Sequence, residues 1–119
     1  MLITAARAAS AIAATAACLL TQQPAFSAEA GLVIFESKCA ACHADGGNVI
    51  NPGKTLSAQA LEKNKYSTQE AVVNLVRNGK GQMPKYQGAI PAISRLDDQQ
   101  LEDVAAYVLE QAAAGWPKS

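Results

Sequence analysis

The sequence predicts a single all-α domain, and three features of the chain support that prediction. Apolar residues recur at helical spacing in several segments between residues 31 and 114. Gly, Pro and Asn are concentrated between those segments, where they mark turns. No segment alternates apolar and polar residues over the length of a strand, so we expect about four helices and no sheet.

Residues 1–27 predict a cleaved secretory signal that precedes the domain. The segment has no acid and one cation, Arg7, and its alanine-rich apolar run at 8–20 is followed by small residues. We expect the cut to follow Ser27, with Ala28 and Ala30 as alternative ends. The run is shorter than the ~20 apolar residues of a membrane-spanning helix, so we expect no stable membrane insertion.

The remaining segment, residues 28–119, is long enough for one domain. It contains nine Lys and Arg residues, ten Asp and Glu residues, two cysteines, one histidine and one methionine. Its net charge is therefore near −1, and a chain with this balance is not expected to bind nucleic acid. Cys18 falls in the signal. A lipoprotein signal would have a larger aliphatic residue three positions before its cysteine, where this chain has Thr15, so we do not expect Cys18 to be lipidated.

The first helix is predicted over residues 31–42, where Leu32, Phe35 and Cys39 have helical spacing. It runs into a Cys-x-x-Cys-His motif, the attachment signature of c-type haem. Cysteines three positions apart share one side of a helical turn, so both sulfurs can reach the two vinyl groups of one porphyrin. The motif predicts thioether bonds at Cys39 and Cys42, with His43 as an axial ligand of the iron.

Three other interpretations of the cysteine pair compete with haem attachment. A thioredoxin-like redox pair would require a βαβ pattern, which this chain lacks. A zinc site would require a second cysteine pair or a second histidine. A structural disulfide is the third. Haem has a further argument in its favour, since a chain this short has difficulty building its own core. We therefore expect the haem-free protein to fold poorly.

Residues 44–55 predict a loop, because turn-forming residues cluster at 45–48 and 51–53. A histidine that binds a metal usually donates its other ring N–H to a nearby acceptor, which fixes the tautomer. We expect a backbone carbonyl near Pro52 to accept that hydrogen bond from His43. A plain surface turn explains the same residues equally well.

Two helices are predicted in the middle of the chain. Residues 57–63 form a short helix capped by Ser57, with Leu61 facing inward. Ser67 and Glu70 have the spacing of a capping box at the start of the next helix. That helix ends at Asn78-Gly79, and its apolar stripe consists of Val72, Leu75 and Val76.

The loop at residues 79–94 contains Met83, the only methionine outside the predicted signal. Gly81 and Pro84 flank it and would stiffen its approach to the iron. Because the chain has a single histidine, the sixth iron ligand must come from another residue type, and we predict that it is Met83. The alternatives are ligation by Lys80 or Lys85, or an open position.

The last helix begins with a predicted capping box, formed by Asp97 and Gln100. Gly115 and Pro117 end it. Periodicity does not decide whether Tyr107 and Trp116 are buried. The predicted apolar stripe of this helix consists of Leu101, Val104, Ala105, Val108, Leu109 and Ala112.

Taken in order, these motifs resemble the cytochrome c6 family over the whole of residues 28–119. The resemblance rests on Gly31-x-x-x-Phe35 before the haem motif and on residues 46–50, 54–56, 78–84, 95–96 and 102–108. It implies a class I cytochrome c fold around one covalently bound haem c. It also implies axial ligation by His43 and Met83, and packing of Tyr107 against the Gly31–Phe35 face.

The resemblance implies a small soluble monohaem carrier of single electrons, not an enzyme, acting as a monomer. The family carries electrons from the cytochrome b6f complex, through cytochrome f, to photosystem I or a cytochrome oxidase, in the thylakoid lumen or periplasm. A peroxidase-like haem enzyme remains an alternative, but it would require Met83 to be absent from the iron. A lower-potential paralogue, serving as a redox sensor or side-pathway carrier, is another.

Two features depart from the common family pattern. The stretch between Met83 and Arg95 has 11 residues and is longer than usual. The plant relative cytochrome c6A also has a longer loop there, with a cysteine pair that this chain lacks. Leu75 stands where the family commonly has glutamine, so we expect a lower reduction potential.

We also expect a largely uncharged surface around the haem edge, with Ile50, Pro84, Ala89 and Ile90 as the candidate residues that form it.

Overall fold

The structure is a computed structural model that describes residues 27–118. The predicted signal lies outside the described residues except for Ser27. Five helices follow in order: α1 (Ala28–Lys38), α2 (Ala40–His43), α3 (Ala58–Lys63), α4 (Gln69–Asn78) and α5 (Asp98–Ala114). Short 3-10 turns lie at Ala44–Gly46 and Ala92–Ser94. Residues 27–118 form no strand, only an isolated bridge between Lys80 and Met83, so the all-α prediction is confirmed.

The predicted first helix occupies two pieces that meet at Cys39. It starts earlier than expected because Ser27 caps it, with its hydroxyl accepting the N–H of Ala30 at 3.1 Å. Cys39 has φ −118°, which interrupts the helix, although its N–H still donates to the Phe35 carbonyl at 2.9 Å. The single turn of α2 then carries Cys42 and His43.

The predicted helix caps are confirmed at Ser57 and Asp97 but not at Ser67. Ser57 caps α3, and Asp97 forms the complete capping box with Gln100. The box predicted at Ser67 is wrong, since Thr68 caps α4 by accepting the Ala71 N–H at 3.2 Å. This later start puts Gln69 in the first turn, where its amide donates to the carbonyl and carboxylate of Glu102 on α5.

The largest helix–helix contact joins α1 and α5, and Gly31 lies at their crossing. A Cβ at Gly31 would clash with the Asp103 carbonyl and lie 2.7 Å from the Cβ of Tyr107. One turn further along α1, the ring of Phe35 lies 5.3 Å from the rings of both Tyr107 and Trp116. The packing of Tyr107 against this face is therefore as the resemblance implied, and Trp116 belongs to the same half-buried cluster.

Most of the predicted apolar stripes are buried. Leu75 and Leu109 are only half-buried, and Leu75 faces the cavity described below. None of the helices in residues 27–118 is long and apolar enough to cross a membrane. The stripe residues that form the core are Val72, Val76, Leu101, Val104, Ala105, Val108 and Ala112.

We expect Gly31→Ala to destabilise the fold by about 2–3 kcal/mol, because the new methyl group would meet backbone atoms that cannot move aside. Urea unfolding of the purified protein measures the change. Gly53→Ala is the matched control, since Gly53 is exposed and a Cβ there would find its nearest atom, Oδ1 of Asn51, at 3.5 Å. The control should lie within ~0.5 kcal/mol of the parent. Equal losses in the two variants would contradict the close crossing.

Candidate functional site

A cavity of about 600 Å³ opens between the helices. Its walls come from the end of α1, from α2, from the loop after it, and from α3, α4, α5 and the loop after α4. A volume of this size is typical of small-molecule and cofactor sites. The lining is mainly apolar, and its charged members are three lysines and no acid: Lys38, Lys54 and Lys80.

The cavity brings together all four residues that the sequence predicted for the site. Cys39, Cys42 and His43 line one part of it, and Met83, from a much later segment, also lines it. Both cysteines are free thiols rather than a disulfide. Within residues 27–118 no three His, Cys, Asp or Glu side chains cluster as a metal site would require, so the zinc interpretation gains no support.

Cys39 is a half-buried thiol, and its partial burial raises its pKa to about 11, with Lys38 opposing the rise. The thiol therefore stays protonated near neutral pH. The thiolate is the nucleophilic form of cysteine, and catalytic redox cysteines have lowered pKa values. The environment of Cys39 thus argues against a thioredoxin-like redox pair.

His43 has its second ring nitrogen satisfied by the backbone. The distance between Nδ1 and the Gly47 carbonyl oxygen is 2.8 Å. A carbonyl can only accept, so Nδ1 carries the proton and Nε2 is the nitrogen with a free lone pair. The prediction of a carbonyl near Pro52 is wrong in its residue. Asp45 and Gly46 both have positive φ, and this tight 3-10 turn brings Gly47 back to the imidazole.

Asn48 organises the loop that follows, a role that sequence reasoning missed. Its Oδ1 accepts the N–H groups of Ile50 and Asn51 at 3.1 and 2.8 Å. Its Nδ2 donates to the Lys54 carbonyl at 3.0 Å. The first two bonds form an Asx-type turn, so the asparagine at the end of the turn cluster 45–48 was a usable signal. The bond to Lys54 closes the loop against the cavity.

Met83 is presented by a closed four-residue turn. The backbones of Lys80 and Met83 exchange two hydrogen bonds, both at 3.0 Å. Gly79 just before the turn has φ 68°, and a Cβ there would lie 2.7 Å from the Met83 carbonyl oxygen and from the Lys85 nitrogen. A glycine at position 79 is therefore needed for the backbone to pass this close to the methionine segment.

Tyr86 is a second residue that sequence reasoning missed, and no local pattern signals it. Its ring lines the cavity, and its hydroxyl donates to the Lys38 carbonyl at 2.9 Å. Burial raises the pKa of this hydroxyl, and the nearby Cys39 and Cys42 add to the rise. The tyrosine therefore joins the methionine segment to the end of α1.

The longer loop at residues 84–94 is closed at its base by a network around Gln87. Its side-chain amide donates to the Leu96 carbonyl at 3.1 Å and to Asp98 at 2.8 Å, and it accepts from Nε of Arg77 at 3.0 Å. The bond from Gln87 is the main reason why the pKa of Asp98 lies below its usual value. The loop is thus pinned to both α4 and α5.

The expected apolar docking surface matches the cavity only in part. Ile50 and Pro84 line it, whereas Ala89 and Ile90 do not. The most exposed large apolar side chain of the described residues is Ile93, at 88% exposure in the long loop. With three lysines among its residues, the cavity lining is more charged than the sequence suggested.

Comparisons with known proteins find one family model and several related cytochromes. Residues 26–108 match the family model described as cytochrome c oxidase, cbb3-type, subunit III. A cytochrome c6 from Cyanidium caldarium is 51% identical over 88 residues, which are 74% of this chain and 74% of that protein.

Two solved structures are similar along the chain. Cytochrome c6 from the diatom Phaeodactylum tricornutum has a TM-score of 0.68 at 43% identity, covering 76% of this chain and 99% of that one. Oxidized cytochrome c6A from Arabidopsis thaliana has a TM-score of 0.71 at 33% identity, covering 81% of this chain and 100% of that one.

Proposed function

The chain belongs to the cytochrome c6 family, and we propose that it carries single electrons with one covalently bound haem c. In this proposal Cys39 and Cys42 form the thioether bonds, and His43 and Met83 are the axial iron ligands. The observation that carries it is the cavity that these four residues share. When bound, the haem supplies an iron that takes up and releases one electron by cycling between Fe(III) and Fe(II).

The residues of the cavity fit a haem in three respects. Its lining is mainly apolar, as the porphyrin ring requires. Nε2 of His43 is left with its lone pair by the hydrogen bond from Nδ1 to Gly47. Cys39 and Cys42 are free thiols, the form in which sulfur can add to vinyl groups.

The two axial residues favour a carrier over an enzyme. A thioether ligand such as that of Met83 stabilises Fe(II) and raises the reduction potential. With His43 and Met83 both on the iron, no position is left for oxygen or a peroxide substrate. The turn that presents Met83 is closed by two backbone hydrogen bonds, which supports a fixed ligand rather than a mobile side chain.

We place the carrier between the cytochrome b6f complex, through cytochrome f, and photosystem I or a cytochrome oxidase. The site would be the thylakoid lumen or periplasm, reached by export and removal of residues 1–27, and the protein would act as a monomer. Cleavage after Ser27 removes the residue that caps α1. The intact mass of the exported protein shows whether the cut follows Ser27, Ala28 or Ala30.

A lower-potential paralogue that acts as a redox sensor or side-pathway carrier is the second candidate. It is favoured by Leu75, an apolar side chain that lines the cavity, and by the long loop at 84–94. Deletion of the gene separates the two. Loss of electron delivery to photosystem I supports the main carrier, and intact delivery supports the paralogue.

An optical redox titration of the haem-loaded protein tests the carrier proposal directly. We expect a single reversible transition that follows a one-electron Nernst curve. The reduced protein should bind carbon monoxide slowly or not at all at neutral pH. Rapid carbon monoxide binding would indicate an open iron and would favour an enzyme.

Met83→Ala should keep the haem on the chain but open the sixth iron position. The reason is that Met83 is the only methionine outside the predicted signal and lines the cavity. Optical spectra should show loss of the low-spin form and rapid carbon monoxide binding. Lys80→Ala and Lys85→Ala are the controls and should leave the spectrum unchanged. A low-spin spectrum that persists in Met83→Ala would rule out this ligand.

Denaturation followed by acid extraction should leave the haem on the chain, because both thioether bonds are covalent. Cys39→Ala and Cys42→Ala should each retain a single bond, which mass spectrometry of the haem peptide can count. Replacing His43 should abolish stable folding, since the cavity would lose its proximal ligand. Haem that extracts freely from the parent protein would show that the attachment site is wrong.

Leu75→Gln should raise the reduction potential. A glutamine N–H directed at the haem disfavours the extra positive charge of Fe(III), and a dipole at short range in low dielectric acts strongly. The opposing loss of one apolar side chain changes hydration little in a lining already mainly apolar. Asn74→Gln, on the exposed face of α4, is the matched control and should not move the potential. A potential that falls or stays constant in Leu75→Gln would contradict the argument.

A further inference from the structure

We propose that Tyr86 is a positioning residue that holds Met83 in the sixth iron position by joining the methionine loop to the cysteine-bearing helix. The inference rests on the proposed axial role of Met83. It concerns a side chain that does not touch the iron, and it explains how a ligand on a surface loop stays in place.

The other hydrogen bonds of the methionine segment do not reach the cysteines. The turn between Lys80 and Met83 is closed on itself. The backbone N–H groups of Tyr86 and Gln87 donate to carbonyls of α4 at 3.2 and 3.3 Å. These bonds fix the conformation of the segment and attach it to α4, but they do not fix its distance from α1.

Two hydrogen bonds in residues 27–118 join residues 79–94 to residues 28–56, and both involve Lys38. The Tyr86 hydroxyl donates to the Lys38 carbonyl at 2.9 Å and is partly buried. The Lys38 ammonium donates to the Ile93 carbonyl at 3.5 Å in an exposed position. The second bond lies at the limit of hydrogen-bond distance and ends on a flexible side chain. Tyr86 therefore makes the stronger connection.

One end of the Tyr86 bond lies next to a proposed haem-attachment residue, Cys39, and the other lies close to the proposed iron ligand Met83. Lys38 is the last residue of α1, and its carbonyl carbon is bonded directly to the nitrogen of Cys39. On the other side only two residues, Pro84 and Lys85, separate Tyr86 from Met83, and the φ of Pro84 is locked. We therefore expect the tyrosine bond to oppose a displacement of Met83 away from the haem.

The Lys38 carbonyl belongs to the last turn of α1, where carbonyls have no partner within their own helix. Removal of the Tyr86 hydroxyl leaves this partly buried acceptor without its present donor. A typical protein hydrogen bond changes an equilibrium by a factor of about three to ten when it is lost. That factor should appear in the equilibrium between Met83 on and off the iron.

The test is an imidazole titration of the oxidised, haem-loaded protein at neutral pH, followed by optical spectroscopy. Imidazole binds the iron only after Met83 leaves, so its apparent Kd reports that equilibrium. Tyr86→Phe should lower the Kd about three- to tenfold. Tyr66→Phe is the matched control, because Tyr66 also lines the cavity and its hydroxyl has no hydrogen bond among residues 27–118. The control should stay within about twofold of the parent.

Two further variants separate positioning from general destabilisation. Gly31→Ala weakens the fold at the α1–α5 crossing, so it measures how far a general loss of stability lowers the imidazole Kd, and its effect should be smaller than that of Tyr86→Phe. Lys38→Ala removes the weak bond to Ile93 but keeps the carbonyl, and it should leave the Kd unchanged.

An unchanged Kd in Tyr86→Phe, or an equal fall in Tyr66→Phe, would overturn the inference while leaving the proposed function intact. A parent protein that binds imidazole as tightly as Met83→Ala would show instead that Met83 is not the ligand. In that case the proposed axial ligation fails, and the role of Tyr86 fails with it.

Discussion

The close crossing of α1 and α5 at Gly31 is the constraint on which the rest of the structure depends. Without a side chain at this position the two helices approach until Phe35 meets Tyr107 and Trp116. The end of α1, Cys39 just after it, and Val104 and Val108 of α5 all line the cavity. The helix–helix contact at Gly31 therefore joins two of the elements that form its walls. The apolar stripe of α4 then packs against α5 to complete the core.

The features that could be predicted from sequence are those with local signals. Apolar periodicity located α3, α4 and α5, and the caps at Ser57 and Asp97 located the starts of α3 and α5. A cap can be recognised from sequence because it needs only one side chain and the next few backbone N–H groups. The haem motif and the lone methionine identified the four residues that share the cavity. These residue types are chemically unusual enough that composition alone marks them. The order of the motifs then led to the correct family.

The features that could not be predicted depend on residues far apart in the chain. The cap at Thr68 instead of Ser67 goes with the contact from Gln69 to Glu102, 33 residues later. The bond from Tyr86 to Lys38 spans 48 residues and has no periodic signature. The acceptor for His43 lay only four residues away, but locating it required the positive φ values of the intervening turn. Sequence patterns do not predict a cap or a hydrogen-bond partner that is determined by long-range packing or by a rare backbone conformation.

The hydrogen bond from His43 to Gly47 has an evolutionary consequence, because its acceptor belongs to the main chain. Gly47 has an ordinary negative φ of −86°, so a different residue at this position would still present a carbonyl to the imidazole. The corresponding connection on the methionine side ends on a side-chain hydroxyl, which a single substitution can delete. A substitution at position 47 therefore leaves the acceptor for His43 in place, whereas a substitution at Tyr86 removes the connection on the methionine side. Engineers who wish to loosen the methionine contact can therefore begin at Tyr86, on the loop after α4.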